Sequence, residues 1–336
     1  MFTTHSSRFL TGDRILNFVP TISIEQFRQG TLSKDSLQQL ENACRDHGFF
    51  LLTDHGLEDL ISAMWAQTEL FFASSRELKN SVVRTETNPL GFYNRELTKQ
   101  KRDLKEVFDF KAGGYKSSRS AIRSQWPAGM PQFKQAMSDY FVACTLLAEE
   151  AISLVYSSLN LPTRQVQEDF GEIHTSSMRL NYYPMEDPLS ESEQKQVTPL
   201  GKMALHHHTD PGSITLLIQD DTGGLQARSR EHGWIDVPPS KGTFVVNIGD
   251  ALQVQTNDQY TAAVHRVVPM TRKARYSTPF FYQPRFDAVI QPMDASRVGK
   301  PRYTPFSWRD YIRARITDNY SDIGEDDIQI NRYKIT

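Results

Sequence analysis

The first half of the chain carries apolar residues at helical spacing. Leu37, Leu40 and Cys44 recur at intervals of three to four and predict a helix over residues 36–48, which ends at Gly48. A short strand is predicted over residues 49–53. Amphipathic spacing predicts a second helix over residues 57–72, and dense aliphatic residues predict a long buried helix over residues 131–159.

The second half changes in pattern after about residue 176. Short runs of Val, Ile, Leu, Tyr and Thr are separated by Gly, Asp, Asn and Pro. Short strands bounded by turn residues at regular spacing are typical of a sandwich or jelly roll, so this half is predicted to be mostly β. The predicted strands span residues 178–183, 203–208, 213–219, 225–228, 243–248, 263–268 and 276–282. A polar exposed loop over residues 190–202 and a last helix over residues 308–316 complete this prediction.

Composition says more about the class of binding partner than about the fold. The formal net charge of -2 over 336 residues argues against a mainly electrostatic interaction with nucleic acid or a membrane surface, so we expect a small-molecule partner. Cys44 and Cys144 form no metal-binding pattern and are expected to stay reduced. Residues 1–8 lack the apolar run of a signal peptide, and no later stretch is expected to reach the length of a membrane span. We therefore expect a cytoplasmic protein that is monomeric or weakly oligomeric.

A basic stretch lies between residues 99 and 123. Its members are Lys99, Lys101, Arg102, Lys105, Lys111, Lys116, Arg119 and Arg123. No aromatic stacking pattern accompanies these residues, as a nucleic-acid site would require. The stretch is therefore predicted to be a solvated face.

Two histidines and one aspartate interrupt the predicted strands and form a candidate metal site. His208 and Asp210 are separated by one residue, and His265 follows in the apolar run of residues 263–268. Two imidazoles and one carboxylate can hold one face of an octahedral Fe(II) ion and leave the other face open. Alone, His208 and Asp210 would be a solvated pair, and His265 would be a buried histidine bonded to a backbone carbonyl. Their combination favours a metal site.

The run of histidines before Asp210 leaves a second candidate ligand. Because side chains alternate across a strand, His206 and His208 share a face and His207 points the other way. His208 is preferred as the ligand since it alone has the one-residue spacing to Asp210. His206 is assigned a supporting or packing role.

A candidate anion site follows the last histidine. Arg275 and Ser277 share a strand face, on which Phe281 also lies. The planar guanidinium group matches a carboxylate through two hydrogen bonds, and the hydroxyl adds a third. The alternative is an exposed salt bridge, because Arg272 and Lys273 are adjacent.

A polar stripe precedes these motifs on the strand predicted over residues 178–183. Arg179, Asn181 and Tyr183 alternate with Met178, Leu180 and Tyr182. Such a stripe either lines a wet cavity or faces solvent, and alternation alone leaves both possibilities open.

These motifs resemble the isopenicillin N synthase-like family of Fe(II)- and 2-oxoglutarate-dependent dioxygenases. The resemblance is carried by residues 44–50, 54–56, 70–72, 78–79, 103–108, 181–184, 208–220, 223–226, 242–250, 265–267 and 275–281. It implies an α+β fold with a double-stranded β-helix, or jelly roll, flanked by helices. The implied division is a helix-rich N-terminal region over residues 1–175, a dioxygenase core over 176–290 and a C-terminal helical extension over 291–336.

The resemblance also implies roles for single residues. His208, Asp210 and His265 would bind iron, Arg275 and Ser277 would hold the distal carboxylate of 2-oxoglutarate, and Asn181, Tyr183 and Phe281 would complete the cosubstrate pocket. The implied reaction oxidises, most simply hydroxylates, a small molecule with O2 while 2-oxoglutarate becomes succinate and CO2. Phe92, Tyr93 and Arg95 are candidates for contacts with the substrate, and a surface charge is an equal alternative for Arg95.

Two other functions remain open from the sequence. A family oxidase that uses no 2-oxoglutarate would cyclise or desaturate its substrate and would hold a substrate carboxylate with Arg275 and Ser277. A non-catalytic ligand-binding protein on the same scaffold is the second alternative. An intact set of iron ligands argues against it.

Overall fold

The computed structural model describes residues 19–85, 87–98, 100–111, 123–161, 170, 174–293, 295–318 and 329–335. The helices in this part of the chain are α1 (Ile24–Arg28), α2 (Lys34–Asp46), α3 (Glu58–Phe72), α4 (Arg76–Asn80), α5 (Pro131–Ser158), α6 (Glu191–Gln194), α7 (Asp250–Gln255), α8 (Ala295–Val298) and α9 (Trp308–Asp318). A 3-10 turn follows at Ile330–Tyr333.

The strands of the N-terminal region are β1 (Thr21–Ser23), β2 (Phe49–Thr53), β3 (Gly91–Tyr93), β4 (Leu97–Thr98), β5 (Lys101–Arg102) and β6 (Glu106–Phe110). The later strands are β7 (Ser177–Tyr183), β8 (Leu205–His208), β9 (Ile214–Gln219), β10 (Leu225–Ser229), β11 (Gly233–Asp236), β12 (Phe244–Ile248), β13 (His265–Val267), β14 (Arg275–Tyr282), β15 (Val289–Ile290) and β16 (Phe306–Ser307). The seven strands predicted after residue 176 are all present, with ends shifted by no more than two residues.

Two facing sheets form the core. The larger sheet has eight strands in the order β1-β2-β12-β9-β14-β7-β6-β3, and the smaller has four in the order β11-β10-β13-β8. Leu217 and Val245 of the larger sheet share a buried cluster with Ala227 and Val267 of the smaller, which places the two inner faces against each other. This is the predicted jelly roll. Strands β1, β2, β3 and β6 extend its larger sheet into the region predicted to be helix-rich.

Helix α5 covers the outer face of the larger sheet. The ring of Phe141 packs 5.1 Å from the ring of Phe280 on β14. The helix is long and apolar enough to cross a membrane, contrary to the sequence-based expectation, with a hydropathy of 1.3 in its most apolar window. Since 56% of that window is buried inside the protein, we attribute the apolar composition to core packing.

The polar loop predicted over residues 190–202 contains helix α6. Ser190 caps this helix, and its backbone N–H donates to the Glu193 carboxylate at 2.9 Å. The reciprocal Ser-x-x-Glu arrangement is a helix-start signal that the overall polarity of the segment concealed. The prediction of an uninterrupted loop was therefore wrong at this point.

The basic stretch is not a solvated face throughout. Arg102 and Lys105 are 2% and 3% exposed. Arg102 pairs with Asp187, and Lys105 Nζ lies 2.8 Å from a carboxylate oxygen of Glu96. The paired acids come from other segments, so the local pattern could not indicate burial. Lys99, Lys116 and Arg119, like residues 1–8, lie outside the described residues.

Candidate active site

The predicted metal ligands come together between the two sheets. Strand β8 ends at His208 and strand β13 begins at His265, and these two residues are cross-strand partners. One ligand atom from each of His208, Asp210 and His265 lies within 4.8 Å of the others. The Asp210 Oδ1 atom is 3.7 Å from His208 Nε2 and 3.9 Å from His265 Nε2. Two imidazoles and a carboxylate therefore converge as a facial Fe(II) site requires.

Backbone carbonyl groups orient both imidazole rings. The Nδ1 atoms of His208 and His265 lie 2.9 Å from the carbonyl oxygens of His206 and Ala263. A proton on Nδ1 donates to each carbonyl, which leaves the Nε2 lone pair for a metal ion. Burial, reinforced by His265, lowers the pKa of His208 to about 3. The ring is therefore neutral at physiological pH, as a metal ligand must be.

Two neighbouring side chains fix the carboxylate of Asp210. Thr215 Oγ1 and Asn247 Nδ2 donate to Oδ2 at 2.5 and 2.9 Å, so Oδ1 is left to face the histidines. Burial by itself raises the pKa of Asp210, but His265, His208 and these hydrogen bonds lower it overall. The carboxylate is thus held ionised. The sequence analysis missed Thr215 and Asn247, although polar residues inside buried strands were a usable signal.

His206 lies beside the candidate metal site without belonging to its ligand group. Its Nδ1 atom is 2.8 Å from Asp103 Oδ1, and its backbone N–H donates to the same oxygen at 3.2 Å. Since the His206 carbonyl accepts the His208 ring proton, Asp103 and His206 support the position of His208. The sequence analysis did not identify Asp103.

At the predicted anion site, the structure has a buried cation, Arg275, whose hydrogen-bond partners are neutral. Arg275 is 0% exposed, and its Nη1 and Nη2 atoms donate to Ser277 Oγ at 3.1 Å and Gln219 Oε1 at 2.9 Å. No carboxylate of the described residues lies within 4.0 Å of this guanidinium. A buried charge without a counter-ion is unfavourable, so the position fits an anionic ligand.

The other predicted cosubstrate residues lie on the same inward face. Asn181 and Tyr183 stand opposite Ser277 and Arg275 across β7 and β14, and Asn181 Nδ2 donates to Ser277 Oγ at 3.3 Å. Phe281 lies further along β14, opposite Thr215, and is partly exposed. The inward face therefore runs from the anion site at Arg275 to the metal ligands.

A buried ion-pair network continues this face on β6 and β7. Arg179 donates to Glu96 at 2.8 and 2.9 Å and to Asp109 at 2.7 and 2.9 Å. Arg84 lies 2.8 Å from Glu96 and 3.1 Å from Asp109. Burial raises the pKa of Glu96, but Arg179, Lys105 and Arg84 lower it well below its usual value. The polar stripe thus faces inward, not toward solvent.

The three residues considered for substrate contact have different environments. Tyr93 lies next to the ion-pair network, and the Arg84 guanidinium is 4.1 Å above its ring. Phe92 is 2% exposed within the helix-facing core, so its prediction as a contact residue is wrong. Arg95 pairs with Glu193 at 3.0 Å on the surface.

Comparisons with known proteins agree with this geometry. Residues 174–284 match the 2OG-Fe(II) oxygenase superfamily, and residues 19–131 match the non-haem dioxygenase in morphine synthesis N-terminal family. Homoarginine-6-hydroxylase 2-ODD-C23.1 of Arabidopsis thaliana is 32% identical over 276 residues, which cover 79% of this chain and 81% of the relative. The chain belongs to the 2OG-Fe(II) oxygenase superfamily. The predicted family and enzyme class are confirmed.

Solved structures of this superfamily share the fold. A full-length protein of Neurospora crassa in complex with alpha-KG superposes with a TM-score of 0.75 at 25% identity, covering 90% of this chain and 96% of that one. JOX2 in complex with 2OG, Fe, and JA gives a TM-score of 0.74 at 26% identity, with coverage of 88% and 84%. These comparisons support the predicted use of Fe(II), 2-oxoglutarate and O2 by this oxygenase.

Proposed function

We propose that this oxygenase hydroxylates a small molecule. One O2 and one 2-oxoglutarate are consumed per turnover, one oxygen atom enters the substrate as a hydroxyl group, and succinate and CO2 are released. The observation that carries this proposal is the buried Arg275, which has no carboxylate of the described residues within 4.0 Å and lies on the inward face of the larger sheet that leads to His208, Asp210 and His265.

The metal ligands and the residues that support them have separate tasks in this function. His208, Asp210 and His265 would hold Fe(II), which supplies the oxidising chemistry when it is bound. Thr215 and Asn247 keep one Asp210 oxygen engaged and the other directed at the metal position.

The charges of the site also favour 2-oxoglutarate as the cosubstrate. A divalent metal with one Asp210 carboxylate leaves a single positive charge, and Arg275 adds a second. The dianion 2-oxoglutarate would neutralise both, and its distal carboxylate suits the guanidinium fork of Arg275. Electroneutrality within a buried site avoids the large penalty for an uncompensated charge.

Small-molecule chemistry in the cytoplasm is part of the proposal. The net charge of -2 gives no electrostatic reason to expect a nucleic acid or membrane partner. Relatives support this choice, since one is named a homoarginine hydroxylase and the JOX2 structure contains JA.

Reconstitution tests the proposal. The protein is loaded anaerobically with Fe(II) and 2-oxoglutarate, exposed to O2, and scored for succinate with and without candidate metabolites, with His265→Ala as the metal-free control. We expect succinate that rises with a substrate and is absent in the variant. Oxygen uptake with a substrate but no succinate would favour the oxidase alternative. Bound iron with no succinate in any mixture and no oxygen uptake would contradict both.

A further inference from the structure

The inward face is closed around Arg275 and open toward the metal ligands. Arg275 and Asn181 are 0% and 4% exposed, whereas the side chains of Arg179 and His208 are 19% and 20% exposed. Phe281, at the metal end of β14, is also partly exposed. Solvent therefore reaches this face from the metal end. A substrate that must approach the open side of the metal would occupy this accessible part.

Lys111 borders the accessible part of the inward face. It directly follows β6, and the register of β6 with β7 continues to place it beside Ser177. Ser177 pairs with Phe281, and Phe281 pairs with Thr215, whose hydroxyl binds Asp210. With strands about 4.8 Å apart, three steps separate the backbones of Lys111 and Thr215 by about 14 Å. Lys111 thus lies in the same cross-strand row as Thr215, the residue that supports the metal ligand Asp210.

Lys111 is held in place by a hydrogen bond but has no counter-ion among the residues that the structure describes. Its Nζ atom donates to the Thr175 carbonyl oxygen at 2.9 Å, and Thr175 is in turn fixed by a hydrogen bond of 2.8 Å from Trp308. No carboxylate of the described residues lies within 4.0 Å of Nζ. Burial lowers the pKa of the ammonium group to about 8, so it is mostly charged at neutral pH.

The neighbouring cations differ from Lys111, because they have carboxylate partners. Arg84, Arg179 and Lys105 each contact the carboxylate of Glu96 at 2.8 Å. Arg275 is assigned to 2-oxoglutarate by the proposed function. Of these described cations, Lys111 is the one with neither a carboxylate within 4.0 Å nor an assigned anionic ligand.

We propose that Lys111 anchors a carboxylate group of the primary substrate, which makes the enzyme an oxygenase of small carboxylic acids. This inference rests on the proposed function and narrows its substrate class. An ammonium group has three N–H donors, and the described residues use one of them, through Thr175, which leaves two for carboxylate oxygens. A phosphate group, with nearly two charges at neutral pH, would be only partly neutralised. The strand spacing places the oxidised carbon on the order of 10 Å from the carboxylate.

Matched acids and amides test the substrate class. The Fe(II)-loaded enzyme is given a panel of small carboxylic acids, each beside its primary amide, and succinate is measured. We expect that any active acid loses at least tenfold in kcat/KM when it is converted to the amide. Lys111→Met should lower kcat/KM for that acid at least tenfold, mainly through KM, and Lys111→Arg should restore most of it. Lys134→Met, at an exposed site on α5, is the matched control.

A second measurement decides the role of Lys111 without turnover. The holoenzyme with 2-oxoglutarate is labelled with a trace of acetic anhydride under anaerobic conditions, and acetylation of Lys111 is read by mass spectrometry. Benzoate should slow this labelling at least threefold more than benzamide does. Equal protection by both, or an amide turned over as well as its acid, would overturn the inference. Protection by benzoate without succinate from any compound would support the anchor and contradict the proposed function.

Discussion

The substitution Arg275→Met tests the contribution of charge to the anion site, because it removes the positive charge but keeps a long side chain. The guanidinium is fully buried, and the side chains of the described residues that it hydrogen-bonds, Ser277, Gln219 and Tyr183, are neutral. A bound 2-oxoglutarate would supply its charged partner. Removing one member of a buried, hydrogen-bonded charge pair costs about 2–5 kcal/mol. This corresponds to a loss of affinity for 2-oxoglutarate of about 30-fold to several thousand-fold.

Two further variants calibrate this loss. Ser277→Ala removes a neutral hydrogen-bond partner worth about 0.5–1.5 kcal/mol, so 2-oxoglutarate should bind no more than about tenfold more weakly. Arg275→Lys keeps the positive charge but loses the planar fork, and its affinity should lie between those of Ser277→Ala and Arg275→Met.

The assay is an anaerobic titration of the Fe(II)-loaded proteins with 2-oxoglutarate, followed by the visible charge-transfer absorbance. Thermal unfolding of the ligand-free protein is the second measurement, and here the substitution should have the opposite effect. A buried cation without a counter-ion destabilises the empty protein, so its removal should not lower the stability. Arg275→Met should unfold at the same temperature as the wild type or higher, and 2-oxoglutarate should no longer raise it. Affinity within threefold of the wild type in a folded Arg275→Met would refute the assignment.

Three further predictions concern the metal site, Lys111 and a buried ion pair. His265→Ala should lose Fe(II), whereas His206→Ala should largely keep it, and both are measured as iron retained after dialysis. Equal losses would mean that the wrong histidine was chosen as ligand. The pKa of Lys111 is about 8 when folded and 10.5 when unfolded, so the unfolded chain binds more protons between these values and stability should rise with pH there. Urea denaturation at pH 8 and pH 10 should show this rise in the ligand-free wild type and a smaller one in Lys111→Met. Arg102→Met, which leaves Asp187 unpaired, should lower the unfolding free energy by about 3 kcal/mol, whereas thermal unfolding of Arg123→Met at an exposed site should be unchanged.

The strands and the metal ligands were predictable because their signals are local. Residues 214–219 and 244–248 are mostly apolar runs, with Thr215, Gln219 and Asn247 as their polar members, and both are buried strands. The spacing of His208 and Asp210 is set by a strand end and the turn after it. A role that depends on two nearby residues and a strand period can be inferred from one segment.

The groups that support the ligands were not predictable in this way. Asp103 reaches His206 across 103 positions of sequence, and Asn247 reaches Asp210 across 37. Neither spacing follows a helical or strand period, because the sheet topology, and not the local chain, brings these atoms together. Phe92 illustrates the same limit, since the side of β3 that faces the helices depends on how β3 pairs with β6.

The basic residues show why burial and pairing must be considered together. Arg102, Lys105 and Lys111 belong to one run in the sequence. The first two contact carboxylates, whereas the Lys111 ammonium group contacts a carbonyl group and no carboxylate of the described residues. Arg275 at the closed end of the inward face likewise has neutral hydrogen-bond partners among the described residues. A fold tolerates a buried cation without a counter-ion when a ligand supplies one during function. Two such cations at opposite ends of one face, with the metal ligands nearby, therefore correspond to two anionic ligands, the cosubstrate and the proposed acid substrate.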